Sequence, residues 1–283
     1  MNQQLTLLWH YLLPKRLLNE FAGLLANSRI FRLKNYLINY FIKRHHVNMD
    51  EALESDPFAY ESFNAFFTRR LKASVRPLGS STYLCPADGF VSQAGRLKNG
   101  QLIQAKGMHY ELSKLIADDK LADDFSHGSF VTIYLSPTDY HRLHMPIDAV
   151  LVKQVYIPGR LFSVQPFTTN HIPGLFAKNE RLVLHFKTAK GPFILVMVGA
   201  TIVGHMGTSW SGDIKRQHDI HQVDYQHQDI HLQQGDEFGY FKLGSTVIML
   251  TPEAIDWKMA IDSGSPCRMG QDMADDNNSA STH

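Results

Sequence analysis

From residue 130 onward the sequence is broken into short runs of β-branched and aromatic residues. They are Phe130–Leu135, Val150–Ile157, Leu182–Phe186, Phe193–Val203 and Thr246–Leu250. Turn residues such as Pro158-Gly159 and Lys190-Gly191-Pro192 separate them. Such runs bounded by Gly and Pro are strand signals. No helical segments alternate with them, which argues against a parallel βαβ sheet, and no internal repeat is present. The β texture, which starts near Tyr83, therefore predicts a mainly antiparallel core.

The first part of the chain has a different period. Leu17, Leu18, Phe21, Leu24 and Leu25 recur at helical spacing over residues 5–45, and Leu33, Tyr36, Leu37, Tyr40 and Phe41 repeat the pattern. Pro14 ends a first short helix or starts the second. Basic residues lie between the apolar ones. Residues 1–50 hold seven Lys and Arg against Glu20 and Asp50, a net +5, although the whole chain is only +1. An apolar stripe flanked by Lys and Arg suits a helix lying in an anionic headgroup layer. It equally suits a helix covering the protein's own core. Phe63, Phe66 and Phe67 would anchor this helical part to the rest of the chain.

The fold class expected is α+β, with N-terminal amphipathic helices attached to a mainly antiparallel β core. Residues 1–75 form a helical, membrane-associating region and 76–262 a β-rich catalytic domain. Residues 263–283 are small, polar and acidic, and are expected to be disordered. Two cysteines, Cys85 and Cys267, exclude a disulfide framework and a CxxC zinc site. The start of the chain lacks the marks of a signal peptide. No apolar run approaches the roughly 18–20 residues that span a bilayer, so the chain is expected to be soluble or bound to a membrane face.

Four places carry residues suited to chemistry. In Lys242-Leu243-Gly244-Ser245-Thr246 a serine enters a strand rather than opening a helix, unlike the nucleophile of an α/β-hydrolase. A Gly-Ser pair is also common in plain turns. In Tyr140-His141-Arg142-Leu143-His144-Met145-Pro146 two histidines stand three apart, open to structural, acid–base or metal use. Pro137 and Pro146 bracket them and no third zinc ligand stands out. Asp88 of Pro86-Ala87-Asp88-Gly89 reads alone as a turn aspartate. His218, His221, His227 and His231 are spaced irregularly among polar residues, which favours a solvated loop or edge hairpin over a metal cluster. No metal is expected. Asp88, His144 and Ser245 together supply an orienting carboxylate, a base and a hydroxyl nucleophile, in that order.

Leu243-Gly244-Ser245-Thr246 resembles the self-cleavage motif of phosphatidylserine decarboxylase proenzymes. Tyr140–Pro146 resembles their histidine motif and Pro86–Gly89 their aspartate motif. Phe63–Arg69, the stretch from Ile157-Pro158-Gly159 to Asn179-Glu180-Arg181, and Val198–Gly204 resemble three further signatures in the same order. The similarity runs to about Ile261, leaving the histidine-rich 213–233 stretch and the acidic tail unmatched. The resemblance implies a bacterial, membrane-associated carboxy-lyase that converts phosphatidylserine to phosphatidylethanolamine and CO2. It implies self-cleavage between Gly244 and Ser245 by the triad Asp88, His144 and Ser245. Ser245 would become a covalent pyruvoyl (pyruvate) cofactor that forms a Schiff base with the substrate amine, the part pyridoxal phosphate plays elsewhere.

The products implied are a large β chain (1–244) and a small α chain (245–283) in a heterodimer, with a dimer of these left open. His141 is a further candidate for substrate contact or proton transfer, since on a helical turn it would share a face with His144. The expected setting is peripheral, on the cytoplasmic face of the inner membrane, with phosphatidylserine in an anionic membrane as partner and no nucleic acid. Three rivals make different predictions. A serine peptidase or esterase keeps an intact serine, a pyruvoyl decarboxylase of soluble amino acids needs no basic amphipathic N-terminus, and a lipid-binding protein stays a single chain of 32.2 kDa.

Overall fold

The computed structural model describes residues 15–105, 107–201, 205–242, 244–258 and 264–275, with the side chains of residues 15–17 left out. The helix expected before Pro14 and the side chain of Leu17 lie outside the described residues. Helices α1 (Lys15–Ala26), α2 (Phe31–His45) and α3 (Phe63–Phe67) precede every strand. The strands are β1 (Tyr83–Leu84), β2 (Gly89–Arg96), β3 (Gln101–Ala105), β4 (Met108–Glu111), β5 (Ser129–Leu135), β6 (Arg142–His144), β7 (Ala149–Ile157), β8 (Arg181–Thr188) and β9 (Gly191–Val198). They continue with β10 (Met206–Thr208), β11 (Gly212–Asp213), β12 (His221–Asp224), β13 (His231–Leu232), β14 (Glu237–Phe241), β15 (Ser245–Thr251), β16 (Ser265–Cys267) and β17 (Asp272–Ala274). Only short helices, such as Leu112–Ile116 and Leu175–Lys178, interrupt them. Every ladder between these strands is antiparallel, as the absence of βαβ alternation predicts. The chain is α+β.

A nine-stranded sheet runs in the order β12-β7-β8-β9-β15-β5-β2-β16, with β13 also on β7. Its central strands carry uninterrupted apolar runs because both faces are covered; all seven residues of β15 are buried. A smaller sheet runs β11-β10-β14-β6. Neighbouring strands cross between these sheets together. Residues 136–141 lead from β5 to β6, and β14, which ends at Phe241, is followed by β15 from Ser245. These two crossings form the seam that carries the site.

The aromatic run of α3 forms a second small core with α2. Phe63, Phe66 and Phe67 pack edge-on around Phe41 with ring centroids 5.3, 6.1 and 5.6 Å away. The α2 residues on this side are Lys34, Ile38 and Phe41, spaced i, i+4, i+7. Lys34 turns inward and donates from Nζ to Phe58 O at 2.7 Å, so it is withdrawn from the basic surface read in the sequence. Leu37 of the predicted stripe packs against this core with Phe41, but Leu18, Phe21, Leu24, Tyr36 and Tyr40 of the stripe, with Phe31 outside it, face outward. Phe21, Leu24, Phe31 and Tyr36 are 63%, 74%, 68% and 67% exposed, while Asn19 and Ala26 take the buried side of α1. Tyr36 and Tyr40 stack at 6.4 Å on the open face of α2. Among the described residues no helix is long and apolar enough to cross a membrane.

Two expectations fail. Disorder from residue 263 does not hold for 264–275, where β16 pairs with β2 and β17 with β1. Polar composition misleads here because the segment is held through its backbone, and only Cys267, Met273 and Ala274 are needed to fill the core. The histidine segment is not a helical turn either. His141 precedes β6 in extended chain, because the ladder to β14 captures the backbone at Arg142, Leu143 and His144. The four histidines of the 213–233 stretch fall on or beside β12 and β13, the exposed edge strands on β7.

Candidate active site at the seam between two sheets

Ser245 opens β15 and stands in register with Leu135, the last residue of β5. It is fully buried, and its Oγ has no hydrogen-bond partner among the described residues, a state shared by Thr246 Oγ1 next to it. An unpartnered buried hydroxyl costs about 1–3 kcal/mol, which makes it a site to explain rather than a plain turn. Gly244, just before it, is uncrowded: a Cβ there would meet nothing closer than Leu135 O at 3.8 Å.

His141 lies in the neighbouring crossing, where its carbonyl accepts from Phe241 N at 2.9 Å, four residues before Ser245. It is also fully buried. Its Nδ1 lies 2.8 Å from Asp139 O. A carbonyl only accepts, so Nδ1 carries the proton and Nε2 the lone pair. Nε2 has no partner. Burial, aided by the charge of Arg69, pushes the pKa of this ring down to about 3, so the imidazole is neutral. The Phe67 ring packs on it with centroids 4.2 Å apart.

His144 sits on β6 opposite Glu237. Its Nδ1–H donates to Gly235 O at 2.8 Å, which leaves Nε2 to accept from Tyr140 O–H at 3.1 Å. Burial lowers its pKa, against the opposing charges of Glu237 and Asp88. Its main-chain N–H donates to Pro86 O at 2.9 Å and so ties the histidine and aspartate motifs together.

Asp88 does not hold the tautomer of His144 through a hydrogen bond. Its carboxylate takes both oxygens to Arg76, with Nε at 2.9 and 3.1 Å, and accepts from Met269 N at 2.9 Å. Arg76 also reaches Glu51 at 2.9 Å. The Gly235 carbonyl, rather than the Asp88 carboxylate, is hydrogen-bonded to His144 Nδ1, and the Asp88 charge opposes the lowering of that ring's pKa.

The backbone thus ties the segment of His141 to that of Ser245 through Phe241, and the segment of His144 to that of Asp88 through Pro86, while no hydrogen bond among the described residues joins Ser245 Oγ to either histidine. The seam also adds residues the motifs did not single out: Arg76, Glu51, Gly235 and Met269. No pattern in the sequence marks Arg76, which is twelve positions from Asp88 and in an irregular segment. Among the described residues no group of three or more His, Cys, Asp and Glu could hold a metal ion. The chain's two cysteines, Cys85 and Cys267, are free and buried, and both thiols face Ala87 O, at 3.1 and 3.9 Å.

A family model described as phosphatidylserine decarboxylase matches residues 63–275, and a second, described as PSD, matches residues 5–46. A phosphatidylserine decarboxylase proenzyme of Legionella pneumophila is 52% identical over 269 residues, covering 93% of this chain and 95% of the relative. One from Delftia acidovorans is 49% identical over 283 residues, with 97% and 98% covered. One from Herminiimonas arsenicoxydans is 46% identical over 278 residues, with 97% and 95% covered. Matched from the aromatic turn of α3 through β17, and similar to these relatives over nearly its whole length, the chain belongs to the phosphatidylserine decarboxylase family.

Proposed function

We propose that the reaction this family membership gives the chain, phosphatidylserine to phosphatidylethanolamine and CO2, runs on a pyruvoyl group made from Ser245. The observation that carries the site is the buried, partnerless Ser245 Oγ directly after an uncrowded Gly244. In maturation Oγ attacks the Gly244 carbonyl and His144 Nε2 takes its proton. The tautomer supports this, since Nε2 holds the lone pair and burial keeps the ring neutral. Tyr140 O–H, on that nitrogen, passes the proton between the ring and the seam. Asp88 stabilises the imidazolium by charge. The Gly244–Ser245 amide becomes an ester. Elimination across Cα–Cβ of residue 245 then releases the Gly244 carboxylate, and hydrolysis with loss of ammonia leaves the pyruvoyl end.

The residues present fit such a group. The ketone oxygen would stand where the amide nitrogen of residue 245 was and a methyl would remain at Cβ, so the buried hydroxyl that departs with Gly244 leaves no hydrogen-bond partner among the described residues unsatisfied. Bound there, it supplies an electron sink for a primary amine losing its carboxyl group. His141 Nε2, which holds the lone pair and has no hydrogen-bond partner among the described residues, takes the proton that the substrate ammonium sheds as it becomes the attacking amine, and then returns it to the carbon that lost CO2. The exposed apolar faces of α1 and α2, with Arg32, Lys43 and Arg44 at their edges, lie in the headgroup layer of an anionic membrane. The chain then works peripherally on the cytoplasmic face, as a heterodimer of chains 1–244 and 245–283.

Intact-mass measurement of the purified protein tests this. Two species ending at Gly244 and beginning with a pyruvoyl-capped 39-residue peptide (245–283) are expected, and a homogeneous active chain of 32.2 kDa would overturn the reading. Ser245→Ala stays uncut and inactive.

A further inference from the structure

Arg69 follows the aromatic turn of α3 and is 6% exposed. Its guanidinium makes no hydrogen bond or ion pair with any described residue, and its Nε is buried without a partner. The carboxylates within its electrostatic reach, Asp88 and Glu51, are both taken by Arg76. The Phe66 ring faces it, 5.4 Å from the guanidinium carbon, and the Tyr60 and Tyr140 phenols are within its electrostatic reach but make no hydrogen bond to it among the described residues. A ring does not satisfy its donors. Arginine cannot shed its proton as a buried lysine does, so the charge remains. A buried unpaired charge costs several kcal/mol unless an anion meets it.

The side chain lines a polar cavity of about 280 Å³ with Asp88, Tyr140, Arg76, Phe90 and Arg268. That is near the lower end of the roughly 300–1,000 Å³ usual for ligand pockets, and suits a headgroup rather than a whole lipid. The cavity touches the seam through Thr138, Asp139 and Tyr140, which follow Leu135, the register partner of Ser245. Arg69 is close enough to His141 to act on its charge.

We infer that Arg69 is the anchor for the phosphodiester of the substrate headgroup. The inference rests on the decarboxylase reading of this site. The substrate carries two anionic groups, and only one is suitable. A fixed cation on the carboxylate would stabilise the ground state and oppose CO2 loss, whereas the phosphodiester keeps its charge throughout. A planar guanidinium meets two phosphate oxygens with parallel N–H donors, which an ammonium cannot do. The contact is equal in ground and transition states and acts on KM rather than kcat.

The test compares wild type, Arg69→Gln and Arg69→Lys after self-cleavage has been checked by intact mass. CO2 release is measured from phosphatidylserine in neutral detergent micelles. Arg69→Gln should raise KM roughly 10- to 100-fold, the value of a charge-assisted hydrogen bond pair, with kcat within about twofold. Arg69→Lys should fall between. In wild type, glycerophosphoethanolamine should inhibit at a concentration at least about tenfold lower than ethanolamine, and Arg69→Gln should abolish that advantage. Loss of kcat at unchanged KM overturns the anchor. So does equal inhibition by the two amines, or inorganic phosphate as effective as glycerophosphoethanolamine, which would make free phosphate the ligand. If Arg69→Gln does not fold, the wild-type inhibitor comparison decides alone. If cut wild type releases no CO2, the decarboxylase reading fails, and thermal stabilisation by glycerophosphoethanolamine over ethanolamine still decides the anion site.

Discussion

Phe67 and Phe21 both belong to the N-terminal helices, and they are 1% and 63% exposed. Phe67 belongs to the inner aromatic layer, where α3 packs on Phe41 of α2 and on the His141 ring. Phe21 belongs to the outer layer with Leu18, Leu24, Phe31, Tyr36 and Tyr40, which nothing among the described residues covers. Both layers repeat at helical spacing, so periodicity treats them alike. The inner layer packs under the site at His141, and the outer layer leaves a row of apolar side chains exposed. Stability and membrane attachment should therefore be separable by mutation.

The sharpest break lies where the inner layer ends, at the two histidines. His144→Ala should abolish cutting altogether, read as a single full-mass band on a denaturing gel; normal cutting would remove His144 from maturation. His141→Ala should still cut, because its Nε2 is not the base assigned to Ser245. Its CO2 release should drop roughly 10²–10⁴-fold on the same sample, the usual cost of losing one acid–base group. Near-normal release would make His141 a packing residue under Phe67.

Next in size is the inner layer itself. Phe67→Ala should cost about 3–5 kcal/mol of stability in chemical denaturation, as large-to-small changes at filled core sites do. A cost below about 1 kcal/mol would mean that α3 contributes little to the fold.

The pH dependence is smaller and comes from the buried rings. His141 and His185 are held down to about 3 and about 4 by burial, below their ordinary 6.5. The unfolded chain binds these protons first, so stability is complete above pH 6.5 and is lost as pH falls towards the folded values. Each ring contributes a slope of about 1.4 kcal/mol per pH unit in that window. Denaturation at about pH 7.5 and about pH 5.5 measures it, and a flat profile would mean that the rings are hydrated.

The smallest effect on the fold belongs to the outer layer. Phe21→Ser should leave the denaturation midpoint unchanged, since surface changes stay within about 0.5 kcal/mol. It should weaken flotation with anionic vesicles roughly tenfold, the transfer value of one aromatic side chain. A matching loss of stability would place Phe21 in a core and erase the distinction between the layers.

Much of this was legible in the sequence because it is local. The β-branched runs mark strands, their lack of alternating helices marks antiparallel pairing, and Ser245 stands at a strand entrance. Backbone hydrogen bonds tie the segment of His141 to that of Ser245 and the segment of His144 to that of Asp88. What each one touches was not legible, because those contacts join segments far apart in the chain. The amide that holds Asp88 is at Met269, 181 positions away, in a stretch whose polar composition read as a disordered tail. The carbonyl that orients His144 is Gly235, 91 positions on. The extended form of His141 was set by the ladder from β6 to β14, which overrode the helical spacing of the pair. Arg69 is left without a carboxylate because Arg76, from a separate segment, takes both Asp88 and Glu51. Spacing along a chain reports its period and nothing of its partners. Sequence alone determined which elements form and which side chains can do chemistry. Burial, tautomer and the pairing of charge were decided by topology, which brings distant backbone and side chains into a space where each polar group must find a partner or lack one.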